Sequence, residues 1–199
     1  MSKDGPSRKD PLYAAFKLIH PKRILEFGVC PGKNALYMIG EAQRHTAKKS
    51  DVQYYGFDLF APMTTQEFDD THPAPLDWMQ AKLDATGAEV HLFRGDSKLT
   101  FPGFAKTAEP MDIIYIDGGH SRETISSDWE HSKRLLKPGT ILIFDDYWDR
   151  LDGGCRAVVD AIDRNKYSVE ICEPGELFPG DWRLAPSYLC RAVKVMVKV

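Results

Sequence analysis

The chain has 199 residues, 43% hydrophobic, 11% aromatic and 28% charged, which suits one globular domain and excludes a disordered, collagen-like or coiled-coil chain. Lys and Arg number 26 against 29 Asp and Glu, a net charge of −3, so a polyanion gains no general attraction and nucleic acid is not an expected partner. No apolar run approaches the roughly 18 residues of a membrane span, and the charged start MSKDGPSRKD lacks the apolar stretch of a signal peptide.

Taken in chain order, short β-branched runs alternate with longer amphipathic stretches, the pattern of an α/β protein with a parallel sheet covered by helices. Residues 1–10 read as a flexible tail. A helix over 11–20 precedes a strand at 23–27, a helix at 34–48 and a strand at 52–58. Residues 61–75, rich in Pro, Thr and Asp and without a period, read as a lid-like loop before a helix at 76–86. The third strand is 89–94, and the fourth, DIIYID at 112–117, is a nearly continuous apolar run of the kind buried on both faces. Ser121 opens a helix that Pro138 and Gly139 stop, and ILIFD at 141–145 is the fifth strand. A helix over 154–165 leads to strands at 167–173 and 188–197, with an irregular loop rich in Pro and Gly between them. There is no interior linker and no repeat, so residues 1–199 are expected to form a single domain. The cysteines Cys30, Cys155, Cys172 and Cys190 are scattered with no C-x-x-C pair, which suits reduced thiols and a cytoplasmic location.

Ligands of open parallel sheets bind beyond the carboxyl ends of the strands. Those ends carry Glu26 and Gly28, then Asp58, then Gly95, Asp96 and Ser97, then Asp117 and His120, then Asp145 and Asp146. The first junction, ILEFGVCPGKNAL, turns through Gly28 and Gly32 and lets a ligand approach the backbone at a helix start. Its spacing is G-x-x-x-G, which matches neither the dinucleotide fingerprint nor a phosphate P-loop, so a nicotinamide oxidoreductase is disfavoured. Asp58, at the end of YYGFDLF, can accept hydrogen bonds from both hydroxyls of a ribose. Asp96 and Ser97 suit either an adenine contact or a plain helix cap.

The order E-x-G-x-x-x-G, an acid after the second strand, GDS after the third, then IDGGH and LLKPGTILIFDD resembles the class I S-adenosylmethionine-dependent methyltransferases. Within that class GFDLF, Asp117 with His120, and the Asp145–Asp146 doublet are similar to the macrocin O-methyltransferase group, which methylates sugar hydroxyls with Mg²⁺. The resemblance implies a doubly wound, mostly parallel, Rossmann-like sheet of seven strands ending in an antiparallel strand. It also implies that Glu26, Gly28 and Gly32 hold the methionine end of S-adenosyl-L-methionine, Asp58 its ribose, and Asp96 with Ser97 its adenine side, with Asp117 a further cofactor-binding residue.

Asp117, Asp145 and Asp146 come from strand tips that lie side by side in such a sheet, and a hard cation would relieve the repulsion of three crowded carboxylates. Mg²⁺ is therefore expected on these three, where it would lower the pKa of an acceptor hydroxyl. His120 has the ordinary pKa, about 6.5, of a general base at neutral pH, and Asp117 stands beside it as a second catalytic candidate. His72 in the lid-like loop and Trp148, Asp149 and Arg150 after the acidic doublet are weaker candidates for touching substrate. The expected partner is a small-molecule or sugar acceptor, and a homo-oligomer is left open. A metal-independent methyltransferase and a non-catalytic nucleoside-binding scaffold of the same fold are the alternatives.

Overall fold

The computed structural model describes residues 7–61, 74–148, 153–178 and 187–198. Within them, helix α1 (Asp10–Ile19) leads into a sheet built from β1 (Arg23–Phe27), β2 (Gln53–Asp58), β3 (Glu89–Arg94), β4 (Ile113–Ile116) and β5 (Ile141–Trp148). Four helices connect them: α2 (Lys33–Gln43), α3 (Leu76–Asp84), α4 (Ser97–Thr107) and α5 (Arg122–Ser132). The chain then runs through α6 (Arg156–Asp160), β6 (Tyr167–Ile171), β7 (Glu176–Phe178) and β8 (Tyr188–Val197). The strand order is β3-β2-β1-β4-β5-β8-β6, with β7 on β8. The first five strands are mutually parallel, and β8 runs antiparallel to β5, β6 and β7.

Alternation along the strands explains why both faces are covered. Ile24, Tyr54, Ile113 and Tyr115 pack under α1, α2 and α3, while Leu25, Phe27, Phe57, Ile114 and Ile116 pack under α4, α5 and α6. The order reverses direction between β1 and β4, which places the ligand crevice at their carboxyl ends. Backbone bonds hold those ends level: Gly28 N–H donates to Phe57 O (2.9 Å), Asp117 N–H to Phe27 O (3.0 Å) and Gly95 N–H to Asp58 O (2.9 Å).

The expected α/β sheet and its antiparallel end are present, with eight strands rather than seven because β7 pairs inside the stretch expected to be irregular. Helix α4 is an element that periodicity does not predict. Pro102 and Gly103 interrupt its sequence, yet Asp96 caps its start by accepting from Lys98 N–H (2.9 Å) and buried Phe101 and Ala105 anchor it. Strand β5 continues past Asp145 to Trp148 because β8 pairs with it on both sides of a shift of register between Phe144 and Tyr147. Of the lid-like loop expected at 61–75, residues 62–73, with His72 among them, lie outside the described residues, as do Asp149 and Arg150, while Ala61 and Pro75 are joined by a parallel bridge. All four cysteines are free. Among the described residues no helix is long and apolar enough to cross a membrane.

Candidate active site

A cavity of about 550 Å³ opens at the reversal point. Gly28, Asp58, Asp96, Ser97, Asp117 and His120 all line it, so six of the residues singled out by position alone meet at one place. Glu26 and Gly32 do not line it. Gly32 instead opens α2 at φ 81°, where a side chain would meet Met79 Sδ of α3 at 2.7 Å. Glu26 is wholly buried on β1, accepts a hydrogen bond from the Tyr54 hydroxyl, and keeps Oε1 without a partner. Burial pushes its carboxyl pKa well above the ordinary carboxylate value, against the opposing pull of that hydrogen bond.

Gly28 sits at φ 85°, and a Cβ there would lie 2.2 Å from the Asp117 carbonyl oxygen. Only glycine lets the two strand ends approach this closely and leaves the cavity floor bare. Asp58 is fixed by the turn, since its two oxygens accept from the Cys30 N–H (2.9 Å) and the Phe60 N–H (3.0 Å). Across the cavity stands a residue the sequence reading passes over, Asp128 on α5. It is 1% exposed, yet lines the cavity with both carboxylate oxygens lacking hydrogen-bond partners. Burial pushes its pKa up to about 7, while the Ser97 hydroxyl offsets part of that.

On the other side of Asp117 lies an acid cluster. Neighbouring strand residues ordinarily point to opposite faces, but the register shift in β5 and a φ of 59° at Asp146 turn both carboxylates of the doublet to one place. His120 closes the cluster on the cavity side, with Nε2 2.9 Å from Asp146 Oδ2 and its ring edge-on to Trp148. The bond to Asp146 raises the His120 pKa, against the opposing effect of burial. Asp117 is pushed up to about 7, first by burial and then by the charge of Asp145. Asp145 moves the other way: Lys9 and Arg8 outweigh its burial and hold it below the usual carboxylate range.

Those two cations come from the segment expected to be a flexible tail. Residues 1–6 lie outside the described residues, but Arg8 and Lys9 are seated in the cluster. Arg8 bridges Asp145 and Asp146, the latter at 3.1 Å. Lys9 Nζ reaches Asp117 at 2.8 Å and also contacts Asp145 and the Tyr115 hydroxyl. Tyr115 Oη lies 2.8 Å from Asp145 and 3.0 Å from Asp117, and Asn34 Nδ2 is 3.3 Å from Asp117. None of Arg8, Lys9, Asn34 and Tyr115 carries a sequence motif that would have marked it.

Whether this donor set fits Mg²⁺ can be read from its contacts. Among the described residues, the one set of three ligand atoms within 4.8 Å of one another belongs to Asp145, Asp146 and Cys190, without Asp117. The Cys190 thiol, pushed up to about 12 by burial and the nearby Asp146 charge, is a neutral sulfur and a poor partner for a hard cation. With Arg8 and Lys9 already on the carboxylates, the arrangement does not fit the ion. The S-adenosylmethionine expectation fares differently. The bare backbone at Gly28, the unpartnered oxygens of Glu26 and Asp128, and a negatively lined cavity within the usual range of ligand pockets suit a cationic nucleoside.

Residues 25–147 match the model of a family described as a methyltransferase domain. Among solved structures the chain resembles CalS11, a TDP-rhamnose 3'-O-methyltransferase of calicheamicin biosynthesis, at 23% identity over 90% of this chain and 75% of that one, with a TM-score of 0.56. It also resembles the O-methyltransferase TomG of Streptomyces achromogenes, involved in tomaymycin synthesis and solved with SAM (14% identity, 100% and 84% covered, TM-score 0.60). A third is an O-methyltransferase from Bacillus cereus solved with SAH (17% identity, 100% and 84% covered, TM-score 0.58). At these identities the likeness establishes the fold, a Rossmann-like methyltransferase sheet. Among curated proteins none matches the chain.

Proposed function

This chain belongs to the methyltransferase domain family, and we propose that it transfers a methyl group from S-adenosylmethionine to a hydroxyl oxygen of a small molecule, a sugar or a related polyhydroxylated compound. The observation that carries the reading is the position of His120. It stands at the wall of the cavity, held by Asp146 on one side and open to an acceptor on the other. When bound, S-adenosylmethionine supplies an electrophilic methyl group on a positively charged sulfur. The chain's own residues do the rest. Gly28 lets the backbone approach the ligand, Asp58 takes the ribose hydroxyls, and Asp96, Ser97 and Asp128 face the adenine. Asp128 offers unpartnered oxygens where the exocyclic amine of adenine needs an acceptor. His120 in its neutral form accepts the proton of the acceptor hydroxyl, and Asp146 stabilises the imidazolium that results.

Mg²⁺ has no step in this reading, because Arg8 and Lys9 hold the oxygens that would bind it. The sugar or polyol acceptor is supported by one relative named as acting on TDP-rhamnose. The test is a methyl-transfer assay with labelled S-adenosylmethionine across sugar nucleotides, polyols and catechols, read by mass spectrometry. A product heavier by one methyl group on oxygen is the expected result. Binding of S-adenosylhomocysteine with no transfer to any oxygen acceptor overturns the catalytic reading in favour of a nucleoside-binding scaffold. Methylation at nitrogen or carbon overturns the acceptor class.

A further inference from the structure

We propose that Arg8 and Lys9 are the resident cations of the Asp117, Asp145 and Asp146 cluster, standing where a divalent ion would neutralise it, and that such an ion binds this chain only by displacing them. Three independent observations carry this.

The first is the account of lone pairs. A carboxylate offers about four acceptor sites on its two oxygens. Asp145 uses all of them: Oδ1 accepts from Arg8 and from the Asp146 N–H (2.9 Å), and Oδ2 accepts from Lys9 and Tyr115 (2.8 Å). Lys9, with three N–H donors, directs all three inward, to Asp117, Asp145 and the Tyr115 hydroxyl. An ion cannot be added at Asp145; there it has to replace a member of the set.

The second is charge. Three carboxylates, Asp117, Asp145 and Asp146, face the two cations Arg8 and Lys9. The two cations thereby offset most of the cluster's charge in a place where Asp145 is 2% exposed and Asp146 9%. A divalent ion joining these five groups would leave a net positive charge in a poorly solvated site, which is strongly disfavoured.

The third is that the pair is built into the fold. Lys9 directly precedes α1, whose Leu12 and Phe16 are buried in the core, so its backbone is fixed by packing. Asp10 accepts from the Ser7 N–H (3.0 Å) and holds the turn ahead of that helix. The Arg8 guanidinium lies over the Phe178 ring and the Lys9 ammonium over Tyr115, and their side chains are only 15% and 19% exposed. These are positioning residues for Asp117, Asp145 and Tyr115. Their consequence for methyl transfer, turnover without a divalent ion, rests on the function proposed above. The exclusion of the ion does not, and is measured without cofactor or acceptor.

The experiment is Mn²⁺ binding to the full chain, followed by the electron paramagnetic resonance of the free ion. Three proteins are compared: wild type, Arg8→Ala with Lys9→Ala, and the charge-retaining Arg8→Lys with Lys9→Arg. Apparent affinity scales with the fraction of molecules whose site is open, so a pair closed about 90–99% of the time costs about 10- to 100-fold. The double alanine variant is expected to bind Mn²⁺ tighter by that factor, and the charge-retaining variant to stay near wild type. A folded double alanine variant that binds no more tightly than wild type overturns the proposal. If that variant does not fold, Lys9→Met, which keeps most of the volume, is expected to tighten binding about 10-fold, and no change overturns the proposal. Wild type supplies a further readout: bound Mn²⁺ must release the pair, so tryptic cleavage after Arg8 accelerates with occupancy, and bound Mn²⁺ with unchanged cleavage overturns the idea. Failure of methyl transfer would leave all these results standing.

Discussion

Substituting Gly28 by alanine tests the floor of the cavity directly. At φ 85° an alanine Cβ would lie 2.2 Å from the Asp117 carbonyl oxygen, 2.7 Å from its carbon and 2.9 Å from Gly118 Cα. All three are backbone atoms, and the Asp117 N–H bond to Phe27 O (3.0 Å) resists their retreat. Left-handed backbone costs a non-glycine residue roughly 1–2 kcal/mol. Forcing the β1 and β4 ends apart adds roughly 1–3 kcal/mol, by analogy with overpacked cores. The sum of about 2–5 kcal/mol corresponds to a fall in Tm of about 4–20 °C for a domain of this size. Gly103→Ala is the matched control, because its Cβ would meet nothing within 4 Å inside α4, and it should gain roughly 0.5–1 kcal/mol from helix propensity. Thermal denaturation followed by circular dichroism reads the stability, and calorimetric titration with S-adenosylhomocysteine reads the cavity. We expect Gly28→Ala to lose both stability and about 10-fold or more in affinity, since any retreat of Asp117 and Gly118 reshapes the lining. Stability within about 0.5 kcal/mol of wild type together with unchanged affinity would refute the reasoning, as would a Gly103→Ala variant equally damaged.

His120→Ala should lower turnover by about 10²-fold or more at neutral pH if the imidazole is the base. Because Asp146 raises the His120 pKa, the neutral form predominates only above that raised value, so the acid limb of the rate profile should lie above 6.5 and move down in Asp146→Asn. A limb that does not move removes the pair from the mechanism. Asp128 has its folded pKa raised from 3.8 to about 7, so its contribution favours the fold below about 4 and is lost as pH rises toward 7. Asp128→Asn should flatten that part of the stability profile, whereas Asp128→Leu should keep the fold and weaken S-adenosylhomocysteine more than an analogue lacking the adenine amine. Equal weakening of both ligands argues against an adenine contact.

The strand tips were legible because their physics is local. Runs such as RILEF and DIIYID declare buried parallel strands, and the rule that ligands gather at carboxyl ends turns that into positions for Gly28, Asp58, Asp96, Asp117 and His120. Helix α4 was hidden because Pro102 and Gly103 read as a break, while its cap and its buried Phe101 and Ala105 outweigh the local penalty. Asp128 left a trace that could have been read. Ile125, Asp128, Trp129 and Ser132 are all buried at helical spacing, so an acid stands on the apolar face of α5. Such a placement is costly unless a ligand or partner answers it. Gly32 has a reason of its own in the fold: its φ is 81° and a side chain there would meet Met79 Sδ at 2.7 Å.

Arg8 and Lys9 mark the limit of what spacing can reveal. Three strand-tip carboxylates imply that something positive must sit among them, and the sequence supports that much. It does not say whether the charge comes from an ion or from the chain, since the partners of Asp145 and Asp146 lie 136 to 138 residues away and follow no motif. What decides it is geometry: α1 docks through Leu12 and Phe16 on the sheet face that carries Tyr115, and this brings the two residues ahead of it to the mouth of the cluster. An acid cluster at the carboxyl ends of central strands is therefore evidence for a counter-charge, and the segment that packs over those ends decides whether that charge is a side chain or a metal.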